Sequence, residues 1–369
     1  MQPIRAAILG FAHMHVNEIS QYILEEASVT LVGIADVPPA APELVVRRYT
    51  RAWNLENVAA QHHLTPYDDY RVMLDETKPD ICFLLCENAN KPMLAAEVAR
   101  RGISLCIEKP MAVSYAEAQK IATLGVRYGV EILINWPTSW RPYIRRLDMV
   151  YRSGAAGRLL KMYYINGHTG PLGTGARHRG VDAAAESMTD AERAATWWYQ
   201  KKMGGGVFLD IGCYGAMYST WFQTETPVSV LAGSRNLNTP FCDCADNIAF
   251  IVDYPNSTSV IEGTWTIPNK ILPTGPVLCC ENGVLYCTPE KDIRGMDILG
   301  NEIDIPVDMP ECDPNIVALY HRHVRDGAAL HESETLPFNL RVMALLDAAM
   351  QSAGKGCRVE VAAPDADLQ

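Results

Sequence analysis

With 369 residues, 48% hydrophobic and 20% charged, the chain is too long for one small core and suits two domains of an ordinary globular protein. Its formal charge of −11 disfavours nucleic acid or an anionic membrane as partner, because neither polyanion is drawn to an acidic surface. No run approaches the roughly 20 apolar residues that span a bilayer, and Ile4-Arg5-Ala6-Ala7-Ile8-Leu9 reads as a strand rather than a secretory leader, so a cytoplasmic protein is expected.

From there the first third of the chain alternates strand and helix signals, the mark of a parallel sheet with crossover helices. Ile4–Leu9 predicts strand one, His15–Ala27 the following helix, and Val29–Ala35 strand two, which ends on Asp36. Leu44–Trp53 reads as helical, and a short strand then precedes a helix at Asp68–Leu74. Asp80–Leu85, Ser104–Ile107 and Glu131–Asn135 complete six strands, with helices at Met93–Arg101 and Tyr115–Tyr128. Residues 1–135 thus read as an α/β Rossmann dinucleotide-binding domain.

Beyond that point the pattern changes. A helix at Pro142–Ser153 leads to a strand at Arg158–Asn166, a Gly-rich loop from Gly167 to about Asp182, and helical Ala183–Ala195 before Trp197-Trp198. Runs at Val228–Arg235, Ala245–Tyr254, Ser257–Thr266, Gly283–Cys287 and Glu302–Ile305, separated by tight turns, predict a large, mainly antiparallel open sheet. Leu340–Ser352 predicts a last helix, packing back towards the first domain, before a short strand and a frayed tail after Val361. Residues 136–369 therefore read as an α+β domain for substrate binding and oligomerisation. The odd count of 11 cysteines predicts reduced thiols, and their spacings match no zinc site, so no metal is expected.

Three places carry chemistry. Ser104-Leu105-Cys106-Ile107-Glu108-Lys109-Pro110 sets a lysine at the carboxyl end of a parallel strand, where open α/β sheets bind ligands. Pro110 restricts the backbone of Lys109 there. The turn Gly10-Phe11-Ala12-His13-Met14-His15 is a degenerate dinucleotide fingerprint: Gly10 is in place, Ala12 replaces a glycine, and His15 stands where the third glycine belongs. Asp36 can bind both ribose hydroxyls and would repel a 2′-phosphate, which favours NAD over NADP. His13 and His15 resemble a metal pair, but capping or cofactor contact is the favoured role. Third, Gly204-Gly205-Gly206 leads to Asp210 and Tyr214, four apart on one helical face. With Lys109 in the same pocket, they could relay a proton.

Taken together, these segments resemble the Gfo/Idh/MocA oxidoreductases, the family of glucose-fructose oxidoreductase and inositol dehydrogenase. The resemblance covers essentially the whole chain and includes Asp68-Asp69-Tyr70-Arg71, Lys78-Pro79-Asp80-Ile81, Gly102, Glu108-Lys109-Pro110, the glycine triplet with Asp210-Ile211-Gly212, and Ser352-Ala353-Gly354-Lys355-Gly356. It implies that Lys109 touches both the nicotinamide ribose and the reacting hydroxyl. It also implies that Asp210 is the active-site aspartate and that Tyr214 takes the place of the catalytic histidine of many members. Cys86-Glu87-Asn88 stands where the family has Thr-Pro-Asn, and Lys91 replaces the usual histidine three residues later.

The expected enzyme removes hydride and proton from a secondary hydroxyl of a sugar, cyclitol or glycoside, with NAD as cofactor. Lys109 stabilises the alkoxide, and Tyr214 accepts the proton directly or through Asp210. Gly10, Phe11, Ala12, His13, Met14, Asp36, Cys86, Glu87, Asn88 and Glu108 would surround the cofactor with Lys109. Trp136 and Trp198 would wall the nicotinamide or stack on a sugar ring. His168, Arg177 and His178, on the loop after Gly167, would bind substrate hydroxyls. Two alternatives stand beside this reading: glycoside cleavage through transient oxidation with NAD recycled, and a non-catalytic NAD- or sugar-sensing regulator. A homo-oligomer, dimer or tetramer, is expected.

Overall fold

The computed structural model describes residues 2–39, 42–268, 272, 275–305 and 312–363. The first sheet is parallel and five-stranded, in the order β2-β1-β3-β4-β5: β1 Ile4–Leu9, β2 Val29–Ala35, β3 Ile81–Leu84, β4 Ser104–Glu108 and β5 Ile132–Asn135. All five are almost wholly buried, as a sheet covered on both faces requires. The covering helices are α1 Val16–Glu25, α2 Arg51–His62, α3 Tyr70–Thr77, α4 Lys91–Ala99 and α5 Tyr115–Tyr128. The carboxyl ends of all five strands meet at one edge, which is where the ligand crevice of such a sheet lies.

Two expectations in this half need correction. The short strand expected before Asp68–Leu74 shrinks to a single bridge between Ala35 and Tyr67. The helix expected at Leu44–Trp53 starts only at Arg51, because Tyr49 has a left-handed backbone (φ 74°) and Thr50 is extended.

The second half contributes α6 Pro142–Arg152, β6 Leu159–Gly167, α7 Asp190–Ala194, α8 Cys213–Phe222, β7 Ser229–Arg235, β8 Asn247–Asp253, β9 Thr258–Thr264, β10 Val277–Cys280, β11 Gly283–Cys287, β12 Ile293–Asp297, α9 Ile316–Asp326, α10 Leu336–Lys355 and β13 Val359–Glu360. Eight strands form one sheet in the order β12-β11-β10-β6-β9-β8-β7-β13, antiparallel throughout except for β6 against β9. β10, β12 and α9 arise where no element was expected, and Glu302–Ile305 is reduced to one bridge from Glu302 to Met296. Only Asp190–Ala194 of the expected helix Ala183–Ala195 forms, since Ala185 instead exchanges backbone hydrogen bonds with Gly175 and Ala176.

Helix α10 packs on α5 and α8, as its expected return to the first domain requires. Helix α9 also returns: Ile316, Val317, Leu319 and Tyr320 share a core with Ile4, Ile8, Ile19 and Phe83. The 11 cysteines are all unbridged thiols, and no described helix is long and apolar enough to cross a membrane. The tail beyond residue 363 lies outside the described residues.

Candidate active site

The strand ends of the first sheet, the start of α8 and the loop after β6 enclose a cavity of about 790 Å³. Lys109 reaches it from the end of β4. A second buried lysine fixes the chain there: Lys91 Nζ donates to Glu108 O (2.5 Å), Pro110 O (2.7 Å) and Asn88 Oδ1 (2.7 Å), bracketing Lys109 on both sides. Burial pushes the Lys91 ammonium down to about 8.

Lys109 donates to the backbone carbonyl of Asp210 (3.0 Å) and lies 3.5 Å from its Oδ1. Asp210 Oδ2 accepts from Trp265 Nε1 (2.8 Å) and faces His168 Nε2 at 3.0 Å. The other nitrogen of His168 accepts the Gly170 amide, so His168 carries its proton on Nε2 and donates it to Asp210. Burial alone would raise the Asp210 carboxyl, but Lys109, His168 and Trp265 outweigh it and hold it far below the usual carboxylate range. The same residues explain Lys109. Burial would lower its pKa, yet the negative potential from Cys213, Asp210 and Glu108 outweighs that and raises it.

Tyr214 joins the cluster in an unexpected way. The Lys109 ammonium sits over its ring, 4.5 Å from the centroid, so the cation meets the π face and not the hydroxyl. Burial raises the phenol well above its ordinary value. The lysine therefore does not activate this phenol as a base. Asp210 is a poor relay as well, because the neighbours that hold its carboxyl far below the usual range stabilise the anion and weaken it as a proton acceptor.

Four imidazoles face the cavity: His13, His15, His168 and His178. Burial and neighbouring imidazoles hold His13 well below its ordinary value and push His178 down to about 3, so both are neutral. His13 Nδ1 accepts the His15 amide. Like His168 with Asp210, His15 pairs one ring nitrogen with a carboxylate that is itself held: Nδ1 lies 2.9 Å from Glu108 Oε1, and Glu108 Oε2 accepts from Asn135 Nδ2 (2.9 Å). No described residue engages its Nε2. His13, His15 and Glu108 also bring one ligand atom each within 4.8 Å of one another, a grouping that the cysteine spacings gave no hint of.

The crevice fits NAD in its donor set. Gly10 turns with φ 89°, and a Cβ there would lie 2.7 Å from Cys86 N, so the strand-to-helix turn demands glycine. Asp36 Oδ1 accepts the Phe11 amide at the tip of β2, in position for ribose. His13, Met14, Lys109 and Trp198 line the end of the cavity that suits a nicotinamide. Next to it, Arg51 bridges Asp36 (2.6 Å) and Glu87, and a small space of about 40 Å³ lies between Arg51 and Trp197. Trp197 Nε1 also donates to Ala12 O (2.8 Å) across the turn.

Of the residues expected at the site, His13, Met14, Lys109, His168, Arg177, His178, Trp198, Asp210 and Tyr214 line the cavity. Others do not. Trp136 is wholly buried and donates to Asn339 Oδ1, packing edge-on to Tyr214, so it walls no ligand. Phe11 faces the core, Cys86 packs against Gly10, and Asn88 is spent on Gly204 O and Lys91. Glu87 is held by Arg51 and Asn90. Glu108 reaches the site only through His15. The loop after β6 is not a loose excursion either, since Tyr49 Oη donates to Ala183 O and Arg179 to Tyr22 Oη. Sequence reasoning missed Arg51, Trp265 and the wall formed by Arg141, Tyr143, Tyr164 and Tyr218; no local motif marks these, because each arrives from a separate element.

The family described as an oxidoreductase family with an NAD-binding Rossmann fold matches residues 4–135, and the GFO/IDH/MocA C-terminal domain matches residues 144–285. The rhizopine catabolism protein MocA of Rhizobium meliloti is 22% identical over 281 residues, 72% of this chain and 75% of that protein. Aldose-aldose oxidoreductase of Caulobacter crescentus superposes with a TM-score of 0.74 at 17% identity, covering 97% of this chain and 100% of its own. The WlbA dehydrogenase of Bordetella pertussis, solved with NADH and UDP-GlcNAcA, gives 0.71 at 19% identity over 98% and 100%.

Proposed function

Because those two matches span most of its length, the chain belongs to the Gfo/Idh/MocA family of NAD-binding oxidoreductases, and we propose that it is a dehydrogenase acting on a secondary hydroxyl of a carbohydrate-type substrate: a sugar, a cyclitol or a glycoside oxidised to a keto-sugar. The observation that carries this reading is a fixed ammonium, Lys109, sharing one cavity with a carboxylate-oriented imidazole, His15. The cavity suits a monosaccharide or small glycoside in size and is rich in hydrogen-bonding side chains. The names of two structural relatives, with an aldose and a nucleotide sugar, support the same substrate class.

Bound NAD supplies the hydride-accepting nicotinamide. The protein does the rest. Lys109 stays charged and stabilises negative charge as it develops on the substrate oxygen. Asp210 anchors that ammonium as a permanent anion, and Tyr214 supports it from below through its ring. His15 accepts the hydroxyl proton at Nε2, while its Nδ1–H is held by Glu108, which favours the imidazolium that forms.

The test is incubation of the protein and NAD with a panel of sugars, inositols and aryl glycosides. Net NADH should accumulate with at least one class, and Lys109→Met should lose about 10²–10³ in turnover while still binding NAD by calorimetry. NAD binding without NADH from any member of the panel would overturn the dehydrogenase reading.

A further inference from the structure

Arg141 stands at the start of α6 and opens into the cavity. Its neighbours on that helix each have an acid: Arg145 lies 3.9 Å from Glu334, and Arg146 pairs with Asp292 at 2.8 Å. Arg141 has no carboxylate within ion-pair distance among the described residues. Its Nη1 donates to Tyr143 Oη (3.0 Å), and Tyr164 and Tyr218 complete a phenolic wall around it. Thr138 Oγ1 and Tyr218 Oη, side by side on the same wall, make no hydrogen bond of proper geometry among the described residues. The guanidinium is held among phenols, lines the open cavity and has no acid paired with it, so an incoming anion can take that place.

We infer that Arg141 is a carboxylate-recognising subsite, so that the substrate is a carbohydrate acid. The inference rests on the reading of the cavity as a carbohydrate site. Placement supports it: Lys109 and Arg141 line one cavity, Lys109 over the Tyr214 ring and Arg141 near Tyr218, and the two tyrosines are one turn apart on α8, about 6 Å along the axis. A pyranose ring spans that gap, with a ring hydroxyl at Lys109 and an exocyclic carboxylate at Arg141. A planar fork matches a carboxylate in a bidentate fashion.

Binding is measured by calorimetry on the NAD-loaded protein, with D-glucuronate and D-galacturonate against D-glucose and D-galactose, and D-glucose 6-phosphate as the phosphate arm. At least one uronate should bind about 10- to 100-fold more tightly than its neutral counterpart. Arg141→Gln should erase that preference, and Arg141→Lys should restore part of it as a single-point contact. Equal affinity for acids and neutral sugars would overturn the inference, as would a preference that survives Arg141→Gln. A preference confined to the phosphate ester would overturn the carboxylate assignment. Uronate preference without NADH formation leaves the subsite standing and removes the dehydrogenase reading; NADH from neutral sugars alone does the reverse.

Discussion

At Asp210 two effects of opposite sign meet in one side chain: burial favours the neutral acid, whereas Lys109, His168 and Trp265 favour the anion and prevail. A carboxyl whose folded pKa lies below its unfolded value contributes stability above the ordinary carboxylate range and loses it only as pH falls towards the folded value. Asp210 therefore stays ionised through mild acid and cannot produce an acid limb in a rate profile there. His15→Gln should lower kcat/KM by about 10²-fold while NAD binding, read by calorimetry, is kept. Turnover undiminished in His15→Gln would return the base to Tyr214 or another group. Lys109, Asp210 and Tyr214 were legible as a set, because the lysine-proline turn and the glycine triplet are marked locally. Their division of labour was not, since it depends on which face of a ring an ammonium meets.

Helix α2 shows what local pattern misses at the scale of an element. Apolar residues at Leu44, Val45 and Val46 read as a helical stretch, but the left-handed Tyr49 breaks it, and the helix begins at Arg51 instead. That shift of a few residues decides the chemistry of the crevice. It points Arg51 at Asp36 and Glu87, whereas the sequence reading gave Asp36 to the ribose hydroxyls alone. Burial raises the Asp36 carboxyl, and the guanidinium opposes that effect. Removing one partner of such a buried network costs about 3–5 kcal/mol, so Arg51→Met should lower the melting temperature markedly. Ribose hydroxyls can then satisfy the freed carboxylate. Saturating NAD should close much of the gap in Tm between Arg51→Met and the parent, read by thermal denaturation with and without cofactor. A gap unchanged by NAD would mean that Asp36 is not a ribose ligand. Helix α9 carries its own end signals, which the sequence reading passed over: Asn315 caps it through the Val317 and Ala318 amides, and Gly327 ends it. Its return to the first sheet was beyond reach, because only tertiary packing on Ile19 and Phe83 reveals it.

Across the whole molecule, the first sheet is covered on both faces, whereas the second keeps one face open. Register aligns Leu231, Ile251, Val260, Tyr163, Val277 and Tyr286 as a single row across six adjacent strands on that face, ending at Arg294. Leu231, Ile251 and Tyr163 are each more than two-fifths exposed. Alternation along single strands showed the sheet but not this row, which exists only once the strand order interleaves residues far apart in sequence. We propose that this contiguous apolar row is an association surface; a face that meets its own copy closes with two-fold symmetry. The protein is expected to run as a homodimer, or a dimer of dimers, in size exclusion with light scattering. Ile251→Lys lies at the centre of the row and points away from the core, so it should shift the mass to monomer with little change in melting temperature. A parent protein that stays monomeric at micromolar concentration, or an Ile251→Lys variant that stays oligomeric, would place the interface elsewhere. Because the active-site cavity opens on the opposite, helix-covered side of this sheet, dimerisation through the row leaves Lys109, His15 and Arg141 accessible, and the monomeric variant should retain whatever turnover the parent shows.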